Sequence, residues 1–216
     1  MKFLHKVKEP FCGLSHIFGA LLSVAALVAL LWLADGRAWN LAAGAIYGVT
    51  LVTLYAASAL YHSLRASPRV EAWLQRLDHS AIFLLIAGSY TPICLLAMRG
   101  ERGWILLGVV WSLAILGVAG SLGWKGAPDW LRVTLYVVMG WLVLGALAPL
   151  REGLSSAGLA WLVAGGVVYS VGTLIFALDK PHLWPGKFSA HDLWHLFVIG
   201  GSVCHFVTIA GLVGRA

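Results

Sequence analysis

Charge is scarce in this 216-residue chain. Aspartate and glutamate together number nine, and charged residues of both signs make up 11%, against roughly 25% in ordinary globular proteins. With 60% of residues apolar, a soluble domain is excluded. Cysteine is scarce too. Cys12, Cys94 and Cys204 lie within or at the ends of apolar runs, with no C-x-x-C spacing. This excludes a disulfide framework and a thiolate zinc knuckle, and the three read as small buried apolar residues. No repeat, low-complexity tract or linker interrupts the chain.

Glycine and tryptophan are plentiful, at 25 and 11 residues, a pairing typical of polytopic helical membrane proteins. Seven apolar segments emerge, at 12–34, 40–64, 77–98, 103–123, 131–150, 158–178 and 191–213. Each is near the roughly 20 residues that a span requires. Turn and charge signals such as Asp35-Gly36-Arg37, Ser67-Pro68-Arg69 and Arg99-Gly100-Glu101-Arg102 separate them. The expected fold is all-α, a seven-transmembrane-helix bundle forming a single domain over 1–216 with no room for an extramembrane domain. Lys2, Lys6 and Lys8 precede a first apolar run that is too long for a signal-peptide core and lacks an A-x-A site, so it reads as a retained span.

The net charge of +6 does not imply nucleic acid, because there is no soluble basic domain to bind it. The basic residues flank spans instead. Lys2, Lys6, Lys8, Arg65, Arg69, Arg76, Lys125, Arg132, Lys180 and Lys187 fall on one side, against Arg37, Arg99, Arg102, Arg151 and Arg215 on the other. The positive-inside rule puts the N-terminus in the cytoplasm and the C-terminus outside.

In this topology the rare polar groups converge on one leaflet. His16 opens span one, His62 ends span two, Asp78 and His79 open span three, and His191 and His195 open span seven. Ionisable groups in hydrocarbon are costly and mark function. His191 and His195, four apart, share a helix face and can ligate one zinc ion, or another divalent ion that prefers imidazole. His62 is the best third ligand, which leaves one position open for water, the pattern of a catalytic zinc site. Ser58, one turn from His62, can support that water, and Asp78 can orient it or take its proton. Asp192 reads as a charge complementing the helix dipole. His79 is a weaker ligand candidate because it points away from Asp78. His205 and Ser202 lie too deep for the same metal and read as groups that line an internal polar cavity or hydrogen-bond across helices, and His182 as a solvated loop residue. Gly165-Gly166-x2-Tyr169-x2-Gly172 reads as a close-packing stripe, and Pro92 as a kink in span three.

Taken jointly, Ser58-x3-His62, Asp78-His79-Ser80-Ala81-Ile82-Phe83 running into Ala87-Gly88-Ser89-Tyr90-Thr91-Pro92, and His191-Asp192-Leu193-Trp194-His195 ending in His205-Phe206 resemble the hemolysin III family. That family is the bacterial branch of the progestin and adipoQ receptor superfamily, which includes the adiponectin receptors. The resemblance implies a seven-helix bundle in a bacterial inner membrane, with zinc near the cytoplasmic face held by His62, His191 and His195. It implies that Asp78 holds a water on the metal with Ser58 beside it, and it links relatives to ceramide-amide hydrolysis. Two departures stand out. Phe176 occupies a position where span six often carries a tyrosine, and the polar residue often found before the first-span histidine is replaced around Cys12-Gly13, which leaves the role of His16 open. The leading expectation is a zinc-dependent hydrolase acting on a membrane lipid amide or ester. The alternatives are a non-enzymatic zinc-stabilised sensor and a cytolytic pore. The polar residues cluster at one end instead of lining whole helix faces, which argues against a constitutive pore.

Overall fold

The computed structural model describes residues 7–124, 126–181, 183–184 and 188–215. Lys2, Lys6, Lys125, His182 and Lys187, named above, lie outside that set. Among the described residues, seven helices are long and apolar enough to cross a membrane: α1 Pro10–Leu33, α2 Ala38–Ser63, α3 Pro68–Ala97, α4 Glu101–Gly123, α5 Asp129–Gly153, α6 Ser156–Leu178 and α7 Ala190–Val213. The all-α, multi-pass expectation therefore holds.

The start of α3 differs from expectation. Pro68 occupies the first helical turn, where its missing N–H costs nothing, and Glu71 in the same turn complements the dipole. The helix thus begins at 68, not near 77. Asp78 lies ten residues inside it, about 15 Å along the axis, and does not open the span. Pro92 does interrupt α3: the segment Ile93–Ala97 that follows is a π turn, with Met98 N–H donating to the Ile93 carbonyl at 3.0 Å.

The central layer is α1, α2, α3 and α7, packed around Tyr47, Leu51, Leu54, Tyr55, Ala81, Leu85, Val198 and Ile209. A second apolar cluster of Phe83, Ala87, Tyr90, Val110, Ala114 and Met139 attaches α4 and α5 to α3. Helix α5 is broken by a 3-10 stretch at Leu142–Ala146. The Tyr90 hydroxyl fills that break, lying 2.8 Å from the Met139 carbonyl and accepting the Val143 N–H at 2.9 Å. Glycines allow the close approaches expected of α6: the Gly165 site abuts the His205 ring, and the Gly172 site abuts Phe197.

Exposed tryptophans form two girdles at opposite helix ends. Trp32, Trp39 and Trp104 lie at one end, and Trp73, Trp124, Trp130 and Trp184 at the other, as expected where amphipathic rings meet the membrane–water boundary. At the first end the guanidinium of Arg37, from the α1–α2 turn, donates to the Leu33 and Val213 carbonyls at 2.9 and 3.1 Å. Asn40 donates to the same Val213 carbonyl at 2.8 Å. These bonds satisfy carbonyls that the ends of α1 and α7 leave free.

Glycine placement makes a stability prediction. A Cβ at Gly88 would overlap the Thr50 hydroxyl of α2, whereas one at Gly108 meets nothing within 4 Å. Gly88→Ala should cost about 1–3 kcal/mol, the usual penalty of overpacking. It should lower the thermal midpoint in detergent, and Gly108→Ala should leave that midpoint in place or raise it.

Candidate metal centre

The centre is assembled where the chain enters the bundle. Before α1, the backbone N–H groups of Lys8 and Glu9 donate to the carbonyls of Ser63 and His62 at 3.3 and 2.9 Å. The segment leading into α1 is therefore pinned to the last turn of α2. Pro10 then starts α1, and its buried face runs Cys12, His16, Gly19, Ser23, the three-and-four spacing of one helical stripe. The start of α7 is fixed independently. The Ser189 hydroxyl accepts the Asp192 N–H at 3.1 Å, and the Asp192 carboxylate accepts the Ser189 N–H at 2.7 Å, a reciprocal capping box. Asp192 therefore caps α7, at the helix end where its charge was expected to complement the dipole.

Three imidazoles meet there. Ring centroids are 5.1 Å apart for His62 and His191, 4.7 Å for His62 and His195, and 5.0 Å for His191 and His195. The Nε2 atoms of His191 and His195 stand 3.2 Å from one another. His62 and His195 are buried. Glu9 lies 2.6 Å from His62 Nδ1, so Nε2 is the nitrogen that ring has left to offer. The hydrogen bond from the His62 ring holds the Glu9 carboxyl below the usual carboxylate range, against the opposing effect of partial burial. A carboxylate behind a histidine is how metal-binding rings are oriented.

The thiol of Cys12 belongs to the same group. Its sulfur and one nitrogen each from His62, His191 and His195 all lie within 4.8 Å of one another. This corrects the reading of Cys12 as a small apolar residue: it is buried among imidazoles, and its thiol donates to Asp192 Oδ1 at 3.2 Å. Both Cys12 and Glu9 escape sequence reasoning. The available signal is Cys12-x3-His16, the same four-residue interval as His191 and His195. His16 stacks on His195 with centroids 3.9 Å apart, and neither of its ring nitrogens has a hydrogen-bond partner among the described residues. The buried His195 Nδ1 is likewise unpartnered among them. A donor set of imidazoles and a thiol, with buried nitrogens left unsatisfied, fits a zinc-like cation.

A cavity of about 430 Å3 runs from this cluster into the bundle and is lined by His62, Asp78, Ser58, Tyr136, Trp194 and His205, among others. Asp78 and Ser58 border it side by side, outside the four-donor group. His79 also borders it, but its contact is a backbone one, its carbonyl accepting the Tyr136 hydroxyl at 2.8 Å. Deeper in, the Ser202 hydroxyl lies 2.8 Å from both the Tyr55 and Tyr169 hydroxyls. His205 packs edge-on to Tyr169 with centroids 5.3 Å apart. Ser202 makes the expected cross-helix hydrogen bonds, whereas His205 lines the cavity with its Nε2 unpartnered among the described residues. Phe176 presents its ring to His191 at 5.4 Å.

A model of the family described as haemolysin-III related matches residues 4–206. The chain is 41% identical to Hemolysin-3 of Bacillus cereus over 206 residues, covering 94% of this chain and 91% of that protein. It is 39% identical to the Hemolysin-3 homolog of Bacillus subtilis strain 168, covering 94% and 93%. A more distant similarity, at 31% identity over 166 residues, links it to the adiponectin receptor protein of Drosophila melanogaster, covering 69% of this chain and 37% of that protein.

The cluster predicts metal content. Purified protein should carry about one divalent ion per chain, as a single tetrahedral site requires. His62→Ala, His191→Ala and His195→Ala should each strip it. His205→Ala and His182→Ala should not. Full occupancy in the first three variants, measured by elemental analysis, would remove the site.

Proposed function

This chain belongs to the haemolysin-III-related family, and we propose that it binds zinc within the membrane and hydrolyses a lipid amide or ester, with a role in membrane lipid homeostasis. The observation behind this reading is the juxtaposition of three converging imidazoles with Asp78 and Ser58 on one cavity. His62, His191 and His195 would hold the ion. Zinc so held would supply a Lewis acid for a carbonyl and generate a nucleophile from water near neutral pH.

The protein's own groups have separate tasks. Glu9 fixes the His62 ring through Nδ1 and leaves Nε2 pointing into the cluster. Asp78 orients the attacking water and takes its proton at a carboxylate oxygen, and Ser58 donates its hydroxyl to the charge that develops on the carbonyl oxygen. The cavity volume falls in the range of small-molecule sites, roughly 300–1,000 Å3. Its largely apolar lining, including Leu54, Ile82, Leu85, Val133 and Val198, suits an acyl chain. A membrane lipid is the substrate class that such a cavity can draw from its surroundings.

A second reading is non-enzymatic, with zinc tying α1, α2 and α7 together in a membrane-state sensor. One observation favours it: Cys12 brings a fourth donor to the three imidazoles, and closed four-donor sites are structural.

Asp78→Asn separates the two readings. The variant should retain zinc, with a loss of affinity of roughly 10–100-fold at worst, while lipid-amide or ester turnover collapses. Asp192→Asn should be far milder in turnover and cost stability through the α7 cap. Turnover and cellular phenotype surviving Asp78→Asn would leave the structural reading in possession.

We propose further that the chain sits in a bacterial inner membrane with its N-terminus and the Arg65–Arg69 loop in the cytoplasm. The basic residues favour that face ten to five, and it carries the metal cluster. Labelling of single cysteines introduced at exposed loop positions should find the α2–α3 loop protected in intact cells and Gly100 accessible. The opposite pattern would invert the orientation.

A further inference from the structure

The geometry points to Cys12 as a fourth metal donor, completing with His62, His191 and His195 a three-imidazole, one-thiolate set. The inference deepens the proposed zinc site and rests on the reading that its imidazoles hold a metal. It concerns a residue that the three-histidine scheme leaves out, and it changes what kind of centre this chain has.

Distance makes the first argument. Tetrahedral donors about 2.0–2.3 Å from a common centre stand roughly 3.3–3.8 Å apart. The sulfur and the three nitrogens already lie within 4.8 Å of one another, so closing onto an ion takes a movement on the order of one ångström. Among the described residues, no carboxylate oxygen belongs to that group. Asp78 borders the cavity but stands outside it, so the group beside the three imidazoles is the thiol.

Placement makes the second argument. The turn that carries Cys12 is held by backbone bonds of its neighbours that owe nothing to a metal: Gly13 N–H to the Glu9 carbonyl at 2.9 Å, and Glu9 N–H to the His62 carbonyl at 2.9 Å. Its sulfur donates to Asp192 Oδ1, a weak bond that leaves the sulfur lone pairs free. The other two cysteines set the contrast. Cys94 packs in the apolar cluster between α3, α4 and α5, and Cys204 lies against the Gly165 site of α6. Only Cys12 is surrounded by imidazoles.

Ligand chemistry makes the third. Thiolate and imidazole together are the donors zinc prefers, and binding displaces the thiol proton to solvent. A thiolate there occupies the fourth position, so the proposed hydrolysis would need the ion to expand to five donors or to release Cys12 when water binds. Cys12 therefore decides whether the centre is closed or open.

Cobalt tests this without any activity assay. The full-length protein, stripped of metal and loaded with Co2+ in detergent, should show a near-ultraviolet sulfur-to-cobalt charge-transfer band. The band should persist in a Cys94→Ala/Cys204→Ala variant, where Cys12 is the remaining thiol. It should vanish in Cys12→Ser, and affinity in chelator competition should fall by at least roughly 10–100-fold, the loss that outer partners of a metal already produce. Cobalt bound with no sulfur band, and with equal affinity in Cys12→Ser, would overturn the assignment and leave the three-imidazole site standing. Failure of wild-type protein to bind cobalt or zinc would overturn the metal reading beneath it as well.

Discussion

Burying imidazole, thiol and carboxylate at one end of an apolar bundle costs free energy unless each group finds a partner, and the architecture of that end follows from this constraint. His62 finds Glu9. Glu9 is in reach because the backbone of residues 8 and 9 pairs with the last turn of α2. Cys12 finds Asp192, which is in reach because it also caps α7. Each partner therefore has two functions, one toward the cluster and one toward the helix ends, so the register of α1 against α2 and α7 is set by the same bonds that assemble the centre. Both nitrogens of His16, and Nδ1 of His195, are left without partners among the described residues, so this buried end of the bundle keeps unmet hydrogen-bonding capacity beside the cluster.

The spans are legible in the sequence where apolar runs stand between charged turns, and six of the seven start within a few residues of expectation. The start of α3 is not, and the reason is physical. Between Pro68 and Leu77 the helix interleaves Arg69, Glu71, Gln75 and Arg76 with Val70, Trp73, Leu74 and Leu77. It lies at the membrane edge, with Trp73 exposed and Lys8 paired to Glu71 at 3.3 Å. Apolar run length detects hydrocarbon, not helix, and so it misses the segment that lifts Asp78 three turns into α3.

The meeting of His62, His191 and His195 is legible because it needs only topology and a four-residue interval. Glu9 is not. Its bond to His62 depends on pairing between residues 53 apart, which no local pattern announces. Cys12 fails for a different reason: a cysteine in an apolar run is nearly always packing, and its neighbours decide otherwise only after three helices are assembled. The Cys12-x3-His16 interval carries information of the same kind as His191 and His195, but sulfur and imidazole are not habitually read as a pair.

Stability is distributed unevenly around the cavity, and that distribution bears on how a membrane-embedded site can work. α1, α2, α3 and α7 enclose the cluster with buried apolar contacts. Helix α5, on the opposite wall, buries little besides Met139 and Leu150. It is held instead by the Tyr90 hydroxyl at its broken turn, by Tyr136 reaching the His79 carbonyl, and by Trp141 donating to Ser170 of α6 at 2.9 Å. Directional hydrogen bonds to backbone and side chain substitute there for interdigitated packing. Each contributes on the order of 1 kcal/mol, whereas a well-filled apolar core side chain contributes roughly 1.5–3 kcal/mol. The candidate metal donors thus sit on α1, α2 and α7, within the well-packed layer, and the far side of the cavity is bordered by the most lightly packed helix. Under the proposed function, that division would let the donor geometry stay fixed while the wall beside it accommodates a lipid chain.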